Sequence, residues 1–326
     1  MVTSQIMKIL VLFWVDKMNL NPFDADIKVT VGMCVKNSGE TVKDAVESVL
    51  SQDFPNESME LVIVDGNSSD KTLEVIRNCL KNTGICTKFF CESEGLGRAR
   101  QIVVDNASGE YIVWVDGDMM LSRDFLKKQV EFMERHPEVG VAKGRYSTLT
   151  SFGPDNLVAF LEDVGFMLNT LYEGEANQKI LATSGCTYRV KAIKQVGGFD
   201  PNIKGVGEDM DAESRLRDSG WKLHIISATF QEMRRRSWSA LWNEYFWHGQ
   251  GASRLFEKNR RVANLYNMFP LVALVRELFR VPAAYQLTRR KTVLFLPFHY
   301  IFKRIAWSVG FTKSFWKKRK SSDTEI

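Results

Sequence analysis

The sequence predicts an α/β domain built on a mostly parallel central sheet, followed by a helical C-terminal extension. Three observations predict it. Apolar runs of strand length alternate with segments of helical period from residue 28 to residue 116. Polar and acidic groups sit at the ends of those strands. Basic residues crowd the last quarter of a chain whose formal charge is only +5, while the acids lie mainly in the first two thirds.

Each element follows from its pattern. Residues 28–35 read as a strand, 41–51 as a helix, 60–65 as a strand, 70–81 as a helix, 85–91 as a strand, 96–107 as a helix and 110–116 as a strand. Alternation on this scale implies βαβ units and a parallel sheet. Ligands of such sheets bind in the crevice beyond the carboxyl ends of the strands. Those ends carry Val35-Lys36-Asn37, the run Val64 to Asp70 and the run Val115 to Asp118. At 326 residues the chain accommodates one large α/β domain plus an appendage. The expected organisation is an N-terminal segment over 1–27, a central α/β domain over 28–230 and a basic, aromatic-rich helical region over 231–326.

The N-terminal run Ile6 to Val15 is apolar but contains Lys8 and has no small-residue cleavage site after it. It is too short to span a bilayer and poor as a signal peptide, so it reads as a strand or as a membrane-skimming segment. The cysteines are odd in number and lack C-x-x-C spacing, which suits buried reduced thiols in a cytoplasmic protein.

The segment Asp65 to Asp70 joins a strand-end acid, a glycine and small polar residues able to cap the next helix. An ordinary βα turn would look the same. The segment Glu94 to Arg100 places Gly95, Gly97, Arg98 and Arg100 at the mouth of another helix, where backbone N–H groups and guanidinium forks suit phosphate. Asp116-Gly117-Asp118 is more informative: two carboxylates at a buried strand end repel unless a cation neutralises them, and Mg²⁺ or Mn²⁺ completed by substrate phosphates fits such a pair.

In order along the chain, VTVGMCVKNSGETVKDAVESVLSQDFP, ELVIVDGNSSDKTLEVI, GLGRARQIVVDNASGEYIVWVDGDM, TSGCTYRVKAIKQVGGFD and GEDMDAESRLRDSGWKL resemble glycosyltransferase family 2 with the GT-A fold. The likeness runs from about residue 28 to about residue 228. It implies an inverting, metal-dependent transfer of a sugar from a nucleotide-diphosphate donor. It implies further that Cys34, Val35, Asn37 and Glu40 line the nucleoside pocket and that Asp65 faces the base or ribose. Gly97, Arg98, Arg100, Asp116 and Gly117 would complete the donor site, with Asp116 and Asp118 at the metal. Asp209 would be the base that takes the proton from the acceptor hydroxyl, and Glu208, Asp211, Gly185 and Trp242 would lie on the acceptor side. Two departures stand out: the pair at 65 and 66 is Asp-Gly instead of two aspartates, and no histidine follows the last strand at Ala228 to Glu232.

The stretch Ser237 to Phe256 is helical in pattern and dense in tryptophan, and its aromatics wrap around too much of the helix for one core-facing side. Beyond it, apolar runs end long before the roughly 20 residues that a spanning helix needs. Basic, aromatic, amphipathic segments of this kind lie in the membrane interface. The expected setting is therefore the inner face of the cell membrane, with a nucleotide sugar as donor and a saccharide or polyprenyl-linked acceptor. The alternatives are a sugar-phosphate nucleotidyltransferase, or a non-enzymatic basic module binding nucleic acid or membrane; no nucleic-acid motif is present, so no nucleic-acid partner is expected.

Overall fold

Val29–Val35 (β1) and Met59–Asp65 (β2) are almost continuously apolar, and both are buried along nearly their whole length. Strands covered on two faces have this composition because no residue is left for solvent. The computed structural model describes residues 27–147, 156–176, 179–203, 205–258 and 269–322. The expected strand or membrane-skimming segment over 6–15 lies outside the described residues.

Between these strands, Val42–Leu50 (α1) places Val42, Ala45, Val46 and Val49 on one face, and all four are buried. That i, i+3, i+4, i+7 spacing is one side of a 3.6-residue helix, so the helix must lie against the sheet. Thr72–Leu80 (α2), Cys86–Cys91 (β3), Leu96–Asn106 (α3) and Tyr111–Trp114 (β4) continue the alternation. β1 pairs in parallel with β2 and with β4, and β2 pairs in parallel with β3.

The second half departs from expectation. It adds Met119–Leu121 (β5), Phe125–Arg135 (α4), Val139–Tyr146 (β6), Leu157–Asn169 (α5), Gly174–Glu175 (β7), Cys186–Arg189 (β8), Val190–Gln195 (α6), Glu208–Asp218 (α7) and Lys222–Glu232 (β9). The sheet order is β3-β2-β1-β4-β8-β6-β9-β5, with β7 beside β9. β8 enters antiparallel between β4 and β6, and β5 and β7 pair antiparallel with β9. Among the described residues, only β6 and β9 pair in parallel in this half, so the sheet is mixed and not mostly parallel. Alternation of strands and helices predicts parallel neighbours only while each helix is a crossover, and here that holds as far as β4.

Two apolar clusters flank the sheet. One takes in α1, α2 and α4, with Phe125 and Phe230 meeting edge to face at 6.1 Å. The other takes in α3, α6 and α7, with Trp114 packed edge-on against Phe199 at 5.4 Å and Tyr188 at 6.3 Å.

Three helices follow: Trp238–Lys258 (α8), Pro270–Thr288 (α9) and Leu296–Ser322 (α10). α8 and α10 cross at backbone contact. A side chain at Gly249 would meet the Trp307 carbonyl at 2.0 Å, and one at Gly310 would meet the Phe246 carbonyl at 2.0 Å. Among the described residues, no helix is long and apolar enough to cross a membrane.

Candidate functional site

The first parallel strands end at one edge of the sheet, and their loops are tied together there. Asn37 adopts φ 49°, which asparagine tolerates better than most residues. Its amide donates to Ser68 Oγ at 2.9 Å and its Oδ1 accepts from the Ser69 amide at 2.9 Å. Asp65 accepts from the Ser68 amide at 2.9 Å and from the Ser68 hydroxyl at 2.6 Å. Both residues are thus taken up in shaping the mouth of the cleft. Val35 turns its side chain into the core and offers only its carbonyl, which accepts from the Gly66 amide at 2.7 Å. Glu40 is exposed on the turn into α1.

Asp116, Gly117 and Asp118 form the turn between β4 and β5. Gly117 is required by close approach, since a side chain there would fall 2.9 Å from Ser38, and its carbonyl accepts from Thr41 Oγ1 at 2.7 Å. Asp116 accepts from the Ser184 hydroxyl at 2.5 Å and lies 4.0 Å from Arg100. Its burial raises its pKa, and Arg100 opposes that rise.

Asp118 has no side-chain hydrogen bond or ion pair among the described residues. Burial pushes its carboxyl up to about 7, and Glu232 and then Asp116 add their repulsion. Glu232 reaches this place because β5 pairs antiparallel with β9, setting Met119 opposite Glu232. An under-compensated acidic turn facing a third carboxylate fits a hard divalent cation, whose oxygen ligands a bound diphosphate would complete. Among the described residues, no group of three or more His, Cys, Asp or Glu has metal-holding geometry by itself.

Arg100 connects this turn to the second acidic motif. Its guanidinium is buried and lies 2.5 Å from Glu208 on its other side. Glu208, Asp209 and Asp211 occupy the first turn of α7, where the helix dipole favours acids, behind Gly207 at φ +112°. Burial pushes the Glu208 carboxyl up to about 8, with Arg100 opposing the rise. Asp209 is 9% exposed and accepts from the Met210 amide at 2.7 Å. Cys34 lies within the same field: burial raises its thiol to about 12 against the pull of Arg100. His248 on α8 feels Asp209 and is pushed down to about 4, chiefly by burial, so it is neutral at physiological pH.

The structure reassigns several expected residues. Gly97 does not offer its amide to a phosphate: the amide donates to the Ile203 carbonyl at 3.3 Å, and a side chain there would meet the Asp200 carbonyl at 2.4 Å. Arg98 is half exposed and lies 3.8 Å from Glu92, so it does not join Arg100. Glu208 gives Oε1 to Arg100 while its Oε2 is buried with no hydrogen-bond partner among the described residues, and Asp211 pairs with Arg215 at 2.8 Å and Lys258 at 2.9 Å. Gly185, at φ +64°, fits against the ring of Phe230, which a side chain would meet at 2.3 Å. Trp242 packs edge-on against Phe302 at 5.5 Å, within the helix–helix contact.

Glu232 and Arg234 went unread in the sequence. Arg234 pairs with Glu232 at 2.6 Å and with Asp163 at 3.0 Å, and it lies 3.9 Å from the centre of the Phe166 ring. Charged residues directly after a long apolar strand, the same signal that marks Asp116 and Asp118, would have pointed to them.

The comparisons with known proteins agree with this architecture. The family model described as Glycosyl transferase family 2 matches residues 30–197. Poly-beta-1,6-N-acetyl-D-glucosamine synthase of Staphylococcus epidermidis is 26% identical over 193 residues, covering 58% of this chain and 44% of that protein. Poly(ribitol-phosphate) beta-N-acetylglucosaminyltransferase TarS of Staphylococcus aureus is 28% identical over 111 residues, covering 34% of this chain and 19% of that protein. The chain therefore spans less than half the length of either relative. Among solved structures, the mannosyltransferase PcManGT of Pyrobaculum calidifontis, in complex with GDP-Man and Mn²⁺, superposes with a TM-score of 0.63 at 18% identity over 91% of each chain. TarS residues 1–349 in complex with UDP-GlcNAc superposes with a TM-score of 0.51 at 18% identity over 90% of this chain and 92% of that one. The α/β domain thus has the GT-A-like fold.

Proposed function

The chain belongs to glycosyl transferase family 2, and from that premise we propose that it is an inverting glycosyltransferase that moves a sugar from a nucleotide-diphosphate donor to a saccharide or polyprenyl-linked acceptor. One observation carries the reading. Arg100 bridges Asp116 at the end of β4 to Glu208 at the start of α7 and also feels the charge of Asp209, so the two acidic motifs meet around one buried guanidinium. The GDP-Man and UDP-GlcNAc complexes of the structural neighbours support a nucleotide-sugar donor. The Mn²⁺ of the first supports a divalent ion at Asp116 and Asp118.

In this reading Asp116 and Asp118 would hold Mg²⁺ or Mn²⁺, whose positive charge would offset that of the donor diphosphate. The loops of Asn37, Asp65 and Ser68 form the wall against the nucleoside. Asp209 takes the proton from the acceptor hydroxyl on the face opposite the leaving group, as inversion requires. Arg100 fixes the distance between the two acidic motifs. The setting is the cytoplasmic face of the cell membrane, with the protein held there peripherally by its basic C-terminal region.

Nucleotide release from a panel of nucleotide sugars with Mn²⁺ or Mg²⁺ tests the proposal. The wild type should release nucleoside diphosphate. Asp209→Asn should bind donor normally but turn over about 10²- to 10⁴-fold more slowly, and Asp118→Ala should lose metal-dependent donor binding. Release of pyrophosphate would instead indicate nucleotidyl transfer, and failure to bind any nucleotide sugar would sink the reading.

A further inference from the structure

We propose that the outer face of α9 and the turn into α10 form a docking surface for an anionic lipid bilayer; the proposal rests on the reading that the acceptor is presented at a membrane. α9 buries Ala273, Glu277 and Ala284 on its inner side. On its outer side Leu271, Val275, Leu278, Phe279 and Tyr285 are exposed, Phe279 to 82% and Leu271 to 75%. Positions 271, 275, 278 and 285 recur at the spacing of a single helical stripe. The stripe runs into the turn, where Leu294, Phe295 and Phe298 are 61%, 55% and 67% exposed. Soluble proteins scatter single apolar residues on their surfaces, but a continuous stripe of large ones marks a binding face.

Charge identifies the occupant. Residues 269–322 contain twelve lysines and arginines and a single acid, Glu277. That acid is fully buried, where it accepts from Arg276 and Arg280 at 2.9 Å. The surface of this region therefore carries no exposed carboxylate among its described residues. Arg289, Arg290 and Lys291 stand exposed between the stripe and the apolar turn. Large apolar side chains flanked by solvent-facing cations, with no exposed acid, suit an interface of acyl chains beneath anionic headgroups. A protein partner would need its own acidic rim and apolar groove to match; a bilayer of anionic lipid supplies both.

The surface also has a mechanical path to the cleft. α10 touches α8 backbone to backbone at Gly249 and Gly310. α8 in turn backs the catalytic loop: Gly251 fits against Val206, Leu255 lies under Gly207, and Lys258 binds Asp200 and Asp211. Docking through α9 would thus set the height of Asp209 above the membrane.

The test uses the full chain with sedimenting vesicles of phosphatidylcholine alone or mixed with phosphatidylglycerol. The wild type should sediment with the anionic vesicles, less so as salt is raised and little with phosphatidylcholine alone. Leu278→Glu/Phe279→Glu should lower the bound fraction by about tenfold or more. Both side chains are exposed, so its melting temperature and its nucleotide release from donor without lipid should match the wild type. Equal sedimentation of variant and wild type, or no wild-type binding at all, would overturn the proposal. So would a wild type that elutes as a dimer and a variant that elutes as a monomer, which would make the face a contact between copies. Nucleotide release without lipid reports on the transferase reading separately, so failure of one is not failure of the other.

Discussion

Removing the charge of Asp118 should stabilise the metal-free protein while abolishing its response to metal. Its carboxyl has no hydrogen-bond or ion-pair partner among the described residues and is pushed from 3.8 to about 7 by burial, Glu232 and Asp116, with Arg235 and Arg234 opposing. A carboxyl whose pKa is raised by folding binds its proton more tightly in the folded state. Stability contributed by that proton is therefore lost as the pH climbs from 3.8 through about 7. Fully expressed, such a rise corresponds to roughly 4 kcal/mol at 1.36 kcal/mol per pH unit. The side chain keeps partial contact with water, which screens the repulsion and leaves on the order of 2 kcal/mol. Asp118→Asn keeps the shape and removes the charge. In EDTA at about pH 8 its melting temperature should exceed that of the wild type by roughly 5 °C, and the difference should fade as the pH approaches about 4. Mn²⁺ should raise the wild-type melting temperature by binding the folded state alone, and leave that of the variant unchanged. Scanning fluorimetry across pH with and without Mn²⁺ measures both. A variant no more stable than wild type at about pH 8 would show that the acids do not repel one another, and the inference of a cation between them would fall with it.

Two further outcomes follow from packing and buried charge. Lys303→Met removes the ion-pair partner of Glu162, which is 2% exposed and otherwise lies 3.4 Å from His299 and 3.3 Å from the Tyr245 hydroxyl, with Arg234 acting from farther off. Urea unfolding should show a loss of about 3 to 5 kcal/mol, most of it recovered in Lys303→Met/Glu162→Leu; a single variant within about 1 kcal/mol of wild type would contradict the ion pair. Gly310→Ala should lower the melting temperature and alter near-ultraviolet dichroism of the tryptophans, because its methyl group would sit 2.0 Å from the Phe246 carbonyl and force α8 and α10 apart at a cost of about 1 to 3 kcal/mol. An unchanged spectrum and melting temperature would mean that the helices do not cross there.

The first half of the fold was legible because its strands are buried on both faces and its helices are crossovers, so burial and period agree at each step. Strand direction in the second half was not legible, since an alternating pattern is the same read parallel or antiparallel. Asp116 and Asp118 stood out because acids at the end of an apolar strand have no local reason to be there. Glu232 carries the same mark, but its relevance depends on the β5–β9 pairing, which no local pattern encodes. Arg100 was noticed for the wrong partner: it stands at a helix mouth suited to phosphate, yet its guanidinium is held by Glu208, 108 residues away. Gly97 misled for a related reason. A glycine at a helix N-terminus signals that something approaches the backbone closely, and a protein loop at Asp200 to Ile203 meets that need as well as a phosphate does.

α5 places two adjacent acids in opposite service. Asp163 binds Arg234, which holds Glu232 beside the acidic turn, while Glu162 binds Lys303 of α10. Arg234 lies over the Phe166 ring of the same helix, and Tyr245 of α8 donates to Glu162. A chain of buried, mutually neutralising charges thus runs from the Asp116–Asp118 turn through α5 to the C-terminal helices. Removing any one member strands another charge in a poorly hydrated place, which is the situation buried ion pairs tolerate least. The C-terminal helices are consequently not an appendage that could be trimmed at residue 230: β9 runs on to Glu232, Arg234 follows it, and Lys258 secures Asp211 at the start of α7. The acids that would hold a donor and the helices that would meet a membrane are parts of one electrostatic structure, so a displacement of α10 has a physical route to the spacing between Glu232 and Asp118.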